Sequence, residues 1–223
     1  DGGAKYIDDM SVPAGCLHLA LVTSPWAHAR ITGIDTAPAR ALDGVAAVVT
    51  AADIPGENDM APVVPGEPLL PPEIAEYVGH PVAAVVADDV ETARQAAKLV
   101  ELQGNPLDAV IELDDAIARE HYLLPPIVFQ RGDPTPELPK APRRLQGGTR
   151  VGCQDHFYLE TQVALALPQE DDEMVVYSGT QHPTEVQHIV AHLLAVPHAA
   201  VQVEVRRMGG AFGGKESQAS LVA

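Results

Sequence analysis

Met174-Val-Val-Tyr177, Pro183-Thr-Glu-Val-Gln-His-Ile-Val-Ala-His-Leu-Leu194 and Val201-Gln-Val-Glu-Val-Arg-Arg-Met208 follow one another near the end of the chain. The first and third are valine-rich runs of strand composition. Between them, Val186, Ile189, Val190, Leu193 and Leu194 recur at helical spacing, with Glu185, Gln187, His188 and His192 on the other side. Pro183 suits the first turn of a helix, where its missing N–H costs nothing, and Pro197 ends that helix. Strand, helix, strand implies a parallel pair joined by a right-handed crossover. Parallel strands send their C-terminal ends to one sheet edge, where ligands of α/β sheets bind. Ser178-Gly-Thr-Gln-His182 and the loop after Met208 therefore emerge together, which makes Gln181 a neighbour of that second loop.

The second loop is Gly209-Gly-Ala-Phe-Gly-Gly-Lys-Glu216. Four glycines in six residues exceed what a turn requires. A strand feeding such a loop brings bare backbone N–H groups up to an anionic ligand. Gly209-x4-Gly214-Lys215 fits the nucleotide-binding P-loop, but the next position should be Ser or Thr to hold magnesium, and it is Glu216. The loop thus points to a cofactor with phosphate or other oxyanion groups, and away from ATP. Phe212 is expected to pack its ring inward and leave its own N–H facing the ligand. Glu216 either faces solvent or accepts hydrogen bonds from the N–H groups of a substrate.

Upstream, Cys16–Thr23, Ala29–Ile34 and Val45–Thr50 have strand-like composition, and Pro81–Ala87 reads as a fully buried strand. Asp88, with Glu91 three residues on, opens a helix as a capping box; Val90, Ala93, Ala97 and Val100 follow its apolar spacing. Ala109–Leu113 is expected to close this α+β unit as a strand. Residues 53–72, dense in Pro, Gly, Asp and Glu, form an irregular loop. Prolines at 125, 126, 134, 136, 139 and 142 and the pair Gly147-Gly148 mark a linker over 121–150. Its Lys140, Arg143, Arg144 and Arg150 are expected to grip a neighbouring surface. The domains are therefore 1–120 and 151–223, on either side of that linker.

The 223 residues carry a formal net charge of −17, with 20 acids against 6 bases before residue 131. Such a chain repels phosphate backbones, so nucleic-acid binding is not expected. Apolar runs are too short to span a bilayer, no leader is evident, and the chain opens without Met, as part of something longer. Cys16 and Cys153 belong to no ligand set and are expected as buried free thiols of a cytoplasmic protein. His188 and His192 have metal-ligand spacing but lack a third ligand and the glutamate of an HExxH motif. Cys153 with Asp155-His156 makes a poor dyad, because adjacent strand residues face opposite ways.

Several segments together resemble the molybdenum-binding part of xanthine dehydrogenase. They are Tyr6-Ile-Asp-Asp-Met10, Gly15-Cys-Leu-His-Leu19, Ala27-His-Ala-Arg-Ile31, Asp53–Asp59, Tyr77-Val-Gly-His-Pro-Val82, Asp155-His-Phe-Tyr-Leu-Glu160, Thr180-Gln181 and Arg207–Glu216. The resemblance implies an α/β hammerhead domain over 1–120 and the truncated start of a molybdopterin-binding α+β domain from about 151. It implies molybdenum with oxo and sulfido groups, held by the pterin rather than by side chains. Gln181 matches the glutamine beside a metal oxygen, and Phe212 the residue whose backbone amide approaches the metal. Gly210, Ala211 and Gly213 match the surrounding cofactor loop, and Glu216 the glutamate that binds the purine and assists its protonation changes.

The implied reaction hydroxylates hypoxanthine or xanthine at a carbon next to a ring nitrogen, giving urate. Electrons would leave through Fe–S clusters and FAD, on a partner subunit or domain, to NAD. An aldehyde oxidase-type or other N-heterocycle hydroxylase is the alternative; a non-catalytic fragment or a P-loop-like module is more distant. The family's general-base glutamate lies far beyond residue 223, in the remaining C-terminal part, so this chain alone is expected to be inactive. Ala211 stands where a glycine is common, a mild change, and Cys153 stands where the family has another glycine, before Gln154, a change with no explanation in the sequence.

Overall fold

The computed structural model describes residues 3–61 and 64–216. In chain order the elements are β1 (His18–Thr23), β2 (Ala29–Asp35), α1 (Ala37–Arg40), β3 (Val45–Thr50), β4 (Ile74–Ala75), β5 (Pro81–Ala87), α2 (Val90–Ala97), β6 (Glu101–Pro106), α3 (Leu113–Ala118), β7 (Ala164–Pro168), β8 (Met174–Ser178), α4 (Pro183–Leu194) and β9 (Val201–Glu204). They form three small sheets of order β1-β5-β3, β4-β2-β6 and β7-β8-β9, a mixed α+β architecture. Among the described residues no helix is long and apolar enough to cross a membrane.

β5 is apolar along its whole length because it is the central strand of its sheet, antiparallel to β1 and β3. Its Val82, Ala83 and Val85 pack with Val22, Ala39, Val48, Ala96 and Val100, and Ile31, Ile34 and Leu102 lie against this cluster. Burying each such valine is worth about 2 kcal/mol, so this cluster carries much of the unit's stability. The capping residue of α2 is Asp89 rather than Asp88. Its carboxylate accepts the Thr92 N–H at 2.8 Å and the Thr92 hydroxyl at 2.7 Å. Asp88 instead donates its N–H to Gly44 O, which holds it in the connection and delays the helix by one residue. Val90 is correspondingly exposed.

The strand that closes this region is β6, paired with β2, and not Ala109–Leu113. The latter run finds no neighbouring strand; Ile111 and Leu113 stand exposed, and Leu113 opens α3. β6 escaped the pattern reading because Glu101-Leu-Gln-Gly-Asn-Pro106 is mostly polar, an edge strand whose ladder is supplied by its partner.

The predicted crossover is present. β8 pairs with β7 antiparallel and with β9 parallel, in the register Met174↔Val201 to Tyr177↔Glu204. β9 stops at Glu204, short of the expected 208, because β8 itself ends one residue after Tyr177. Val186, Val190 and Ala191 of α4 pack on Val176 and Val201, while Ile189 and Leu193 pack on Met60. Leu194 is exposed. The C-terminal carbonyls of α4 are capped from the 53–72 loop: Gly56 N–H donates to Leu193 O and Glu57 N–H to His192 O, both at 3.0 Å.

The described residues up to Asp108 and from His156 onward cluster into one compact unit and those of 109–155 into another. The second unit has little core: Leu123, Phe129 and Leu145 are almost fully exposed. Within it Lys140 pairs with Glu137 and Arg150 with Asp114. Both cysteines are free, but neither is buried; Cys153 is exposed because it lies in this core-poor stretch.

Candidate functional site

The loop after β8 and the loop after β9 interlock. Gln181 donates its backbone N–H to Lys215 O at 2.8 Å. Its side-chain Oε1 accepts the Gly213 N–H at 3.0 Å and the Lys215 N–H at 3.4 Å. Two backbone donors on one amide oxygen fix the orientation of that amide. The Gln181 NH2 group is left without a hydrogen bond among the described residues. Thr180 reinforces the joint, donating its hydroxyl to Lys215 O at 3.2 Å and accepting the His182 N–H at 3.0 Å.

The glycine loop passes through left-handed backbone three times, with φ of +102° at Gly210, +53° at Phe212 and +90° at Gly213, and the Gly214 N–H closes the turn onto Ala211 O at 2.7 Å. The N–H groups of Gly210, Ala211 and Phe212 donate to none of the described residues. The two flanking glycines serve packing instead. A Cβ on Gly209 would sit 2.5 Å from Glu160 Cβ and 2.7 Å from Glu160 N; one on Gly214 would sit 2.0 Å from the Tyr158 hydroxyl.

Phe212 departs from expectation: the residue is 74% exposed rather than packed inward. The space beneath the loop is already filled by Tyr158, Glu160 and Lys215, so the ring lies outside, parallel to Tyr158 with centroids 6.5 Å apart. Lys215 is completely buried, and its Nζ donates to Glu160 Oε2 at 3.2 Å. It also lies 5.1 Å from the centre of the Tyr158 ring. A P-loop lysine must reach phosphates, and this one points into the protein. With Glu216 in the magnesium position, that removes the nucleotide reading.

Glu160 and Lys215 lie in two separate motifs, and no periodicity of the sequence marks them as partners. Glu216, the last described residue, lies at the rim with its side chain half exposed and its Oε1 4.0 Å from His182 Nε2; the other ring nitrogen of His182 is 3.8 Å from Glu185. Three other histidines, His188, His192 and His198, gather near the C-terminal end of α4. His198 Nε2 lies 3.1 Å from His192 Nε2, and its ring stacks on His188. Desolvation and then the two neighbouring imidazoles hold His198 below the ordinary histidine range.

The donor set therefore consists of three backbone N–H groups and one oriented amide NH2, with a carboxylate at the lip. Such a shelf fits an oxygen-rich cofactor, and a pterin with phosphate and metal-oxygen groups is of that kind.

Residues 1–108 match the family described as aldehyde oxidase and xanthine dehydrogenase, a/b hammerhead domain, and residues 118–223 match the molybdopterin cofactor-binding domain. The chain is 40% identical over 223 residues to aldehyde oxidase 4 of Cavia porcellus, covering 99% of this chain and 16% of that protein. It is 37% identical over 222 residues to the xanthine dehydrogenase/oxidase of Felis catus, covering 99% of this chain and 17% of the relative. Among solved structures, quinoline 2-oxidoreductase from Pseudomonas putida 86 superposes with a TM-score of 0.83 at 30% identity, over 98% of this chain and 30% of that one. The chain thus spans a minor part of the relatives it matches.

Proposed function

The chain belongs to the aldehyde oxidase and xanthine dehydrogenase family, and we propose that it is the hammerhead part and the opening of the molybdopterin-binding part of a molybdenum hydroxylase. In this reading 1–120 is the hammerhead domain, 121–150 a linker, and 151–223 the first portion of the cofactor domain. The observation that carries it is the donor shelf: three N–H groups at 210–212 that have no acceptor among the described residues, beside a Gln181 amide whose oxygen is already engaged.

When bound, the cofactor would supply a molybdenum centre, carrying oxo and sulfido groups, that activates water and takes up two electrons. The residues of this chain hold and orient. The N–H groups of Gly210, Ala211 and Phe212 receive anionic oxygen, Gly213 keeps Gln181 in place, and the Gln181 NH2 donates to an oxygen of the bound group. Glu216 accepts N–H donors of a purine and shares a proton with it as charge moves around the ring. The general base, the Fe–S and FAD centres and the exit to NAD belong to the rest of a cytoplasmic enzyme.

Glu216 favours hypoxanthine or xanthine over an aldehyde, since an aldehyde presents no N–H for a carboxylate to accept. The identity to aldehyde oxidase 4 keeps the aldehyde reading as a second. The test is turnover of hypoxanthine against an aromatic aldehyde by the full-length protein, with molybdenum and pterin quantified. Hypoxanthine turnover is expected, with kcat/KM falling about 100-fold in Glu216→Gln, as when a substrate N–H loses a charged acceptor. Activity on the aldehyde alone overturns the purine assignment, and absence of molybdenum and pterin overturns the whole reading.

A further inference from the structure

Beneath the cofactor shelf lies a charge pair with no access to water. The Lys215 side chain is 0% exposed and that of Glu160 is 2% exposed, and they meet at 3.2 Å. Burying both charges costs several kcal/mol, and a well-packed apolar pair of similar volume is often as stable. Stability alone therefore does not account for the pair.

Its connections do. Glu160 Oε2 also accepts the N–H of Gly209, at 3.1 Å, so one carboxylate ties the first residue of the loop to Lys215 near its end. Glu160 Oε1 accepts the Ile7 N–H at 3.4 Å, drawing in the N-terminal turn Ile7–Asp9. The backbone of Lys215 in turn sets Gln181, whose N–H and Oε1 it both engages, and receives the Thr180 hydroxyl. Space around the pair is closed by Gly179, where a Cβ would lie 3.2 Å from Glu160 Oε2 and 3.4 Å from Lys215 Nζ.

We propose that the buried Glu160–Lys215 ion pair is the positioning device of the cofactor shelf. It pins both ends of the glycine loop to segment 158–160 and, through the Lys215 backbone, orients Gln181. The N–H groups at 210–212 are then held aimed at the ligand before it arrives. Preorganised donors of this kind avoid reorganisation when charge develops. This inference rests on the loop being a cofactor shelf, as proposed above.

The test uses the full-length protein and the variants Glu160→Gln, Lys215→Met and Lys215→Arg, together with the double variant Glu160→Gln/Lys215→Met. In cofactor-free protein, hydrogen exchange at the Gly213 and Lys215 amides is expected to be about tenfold faster in Glu160→Gln than in wild type, because loop opening becomes easier. In loaded protein, turnover per molybdenum is expected to fall about 100-fold with KM nearly unchanged, the size of loss a 1 Å misplacement gives. The Mo(V) electron paramagnetic resonance signal should shift as well, and Lys215→Arg should restore part of each property. A folded variant with wild-type exchange, signal and turnover per molybdenum overturns the proposal, even if its melting temperature drops. Should the single variants fail to fold, the double variant removes both charges at once, and a wild-type exchange pattern in it has the same force. A wild-type protein that carries no molybdenum or pterin overturns the functional reading instead, and the exchange measurement still reports on the pair.

Discussion

Two stretches of this chain are rich in glycine, and they are opposites. Around Gly147, Gly148 and Gly152 an added Cβ would meet nothing within 4 Å. Around Gly209 and Gly214 it would meet Glu160 and Tyr158 well inside contact distance. Composition treats both as places where the chain bends freely. Only the second is over-determined, with every glycine required either by a neighbour or by its backbone hand. Glycine density marks a site when other segments converge on it, and a linker when none do.

The largest effect is expected at Gly209→Ala. The new methyl strikes Glu160 N and Cβ, backbone and near-backbone atoms that cannot rotate away. A loss of about 3 kcal/mol is expected, the upper range for overpacking, read as a lower urea midpoint of the intact protein. Cofactor content should fall with it. A midpoint equal to wild type would mean that the loop and segment 158–160 are not packed as described.

A gain of about 1 kcal/mol is expected where the chain adopts glycine geometry without glycine. Ala195 ends α4 at φ +56°, ψ +36°, a left-handed conformation that costs an L-residue about that much. Ala195→Gly should raise the urea midpoint accordingly. A decrease would show that the alanine methyl makes a contact worth more than the strain.

The fold was legible where a periodic signal and a topological rule coincide. Helical spacing from Val186 to Leu193 between two valine runs forced a parallel pair, and parallel strands brought Gln181 to the glycine loop. It was illegible where the partner is remote and the local pattern is silent. Nothing near Glu160 in sequence announces Lys215, 55 residues away, because a single charge on a short irregular segment has no period. The apolar run Ala109–Leu113 misled for the complementary reason, since strand composition needs an adjacent strand to pair with. Phe212 was misjudged because the occupants of the loop's interior come from segment 158–160.

Residues 53–72 have the composition of a linker, yet their described residues are anchored by side chains. Asn58 exchanges side-chain hydrogen bonds with the Leu70 backbone. Asp59 accepts the N–H groups of Ala61, Gly66 and Glu67. Burial pushes the Asp59 carboxyl up, but these three donors together outweigh it and hold the group below the ordinary 3.8. A depressed carboxyl stabilises the folded loop fully above that value and loses its contribution as pH falls through the lower folded value. Proteolytic cleavage of 59–67 is therefore expected to rise as the pH is taken below 3.8. In Asp59→Ala it should be raised already at neutral pH, with little further change on acidification. Cleavage independent of pH in the wild type would count against this anchor.

The smallest effect belongs at Gly148. Its φ lies outside the left-handed region and an alanine methyl there would meet no atom, so Gly148→Ala removes no contact and introduces no strain. The substitution narrows the unfolded ensemble slightly, and a change within about 0.5 kcal/mol, of stabilising sign, is expected in the urea midpoint. The measurement is informative because it is made on the intact protein. If Gly148→Ala were as costly as Gly209→Ala, the surroundings of residue 148 would have to include a surface that this chain does not itself provide. The exposed Leu123, Phe129 and Leu145 of the same unit would then be the next positions to substitute, since they would be expected to share that cover.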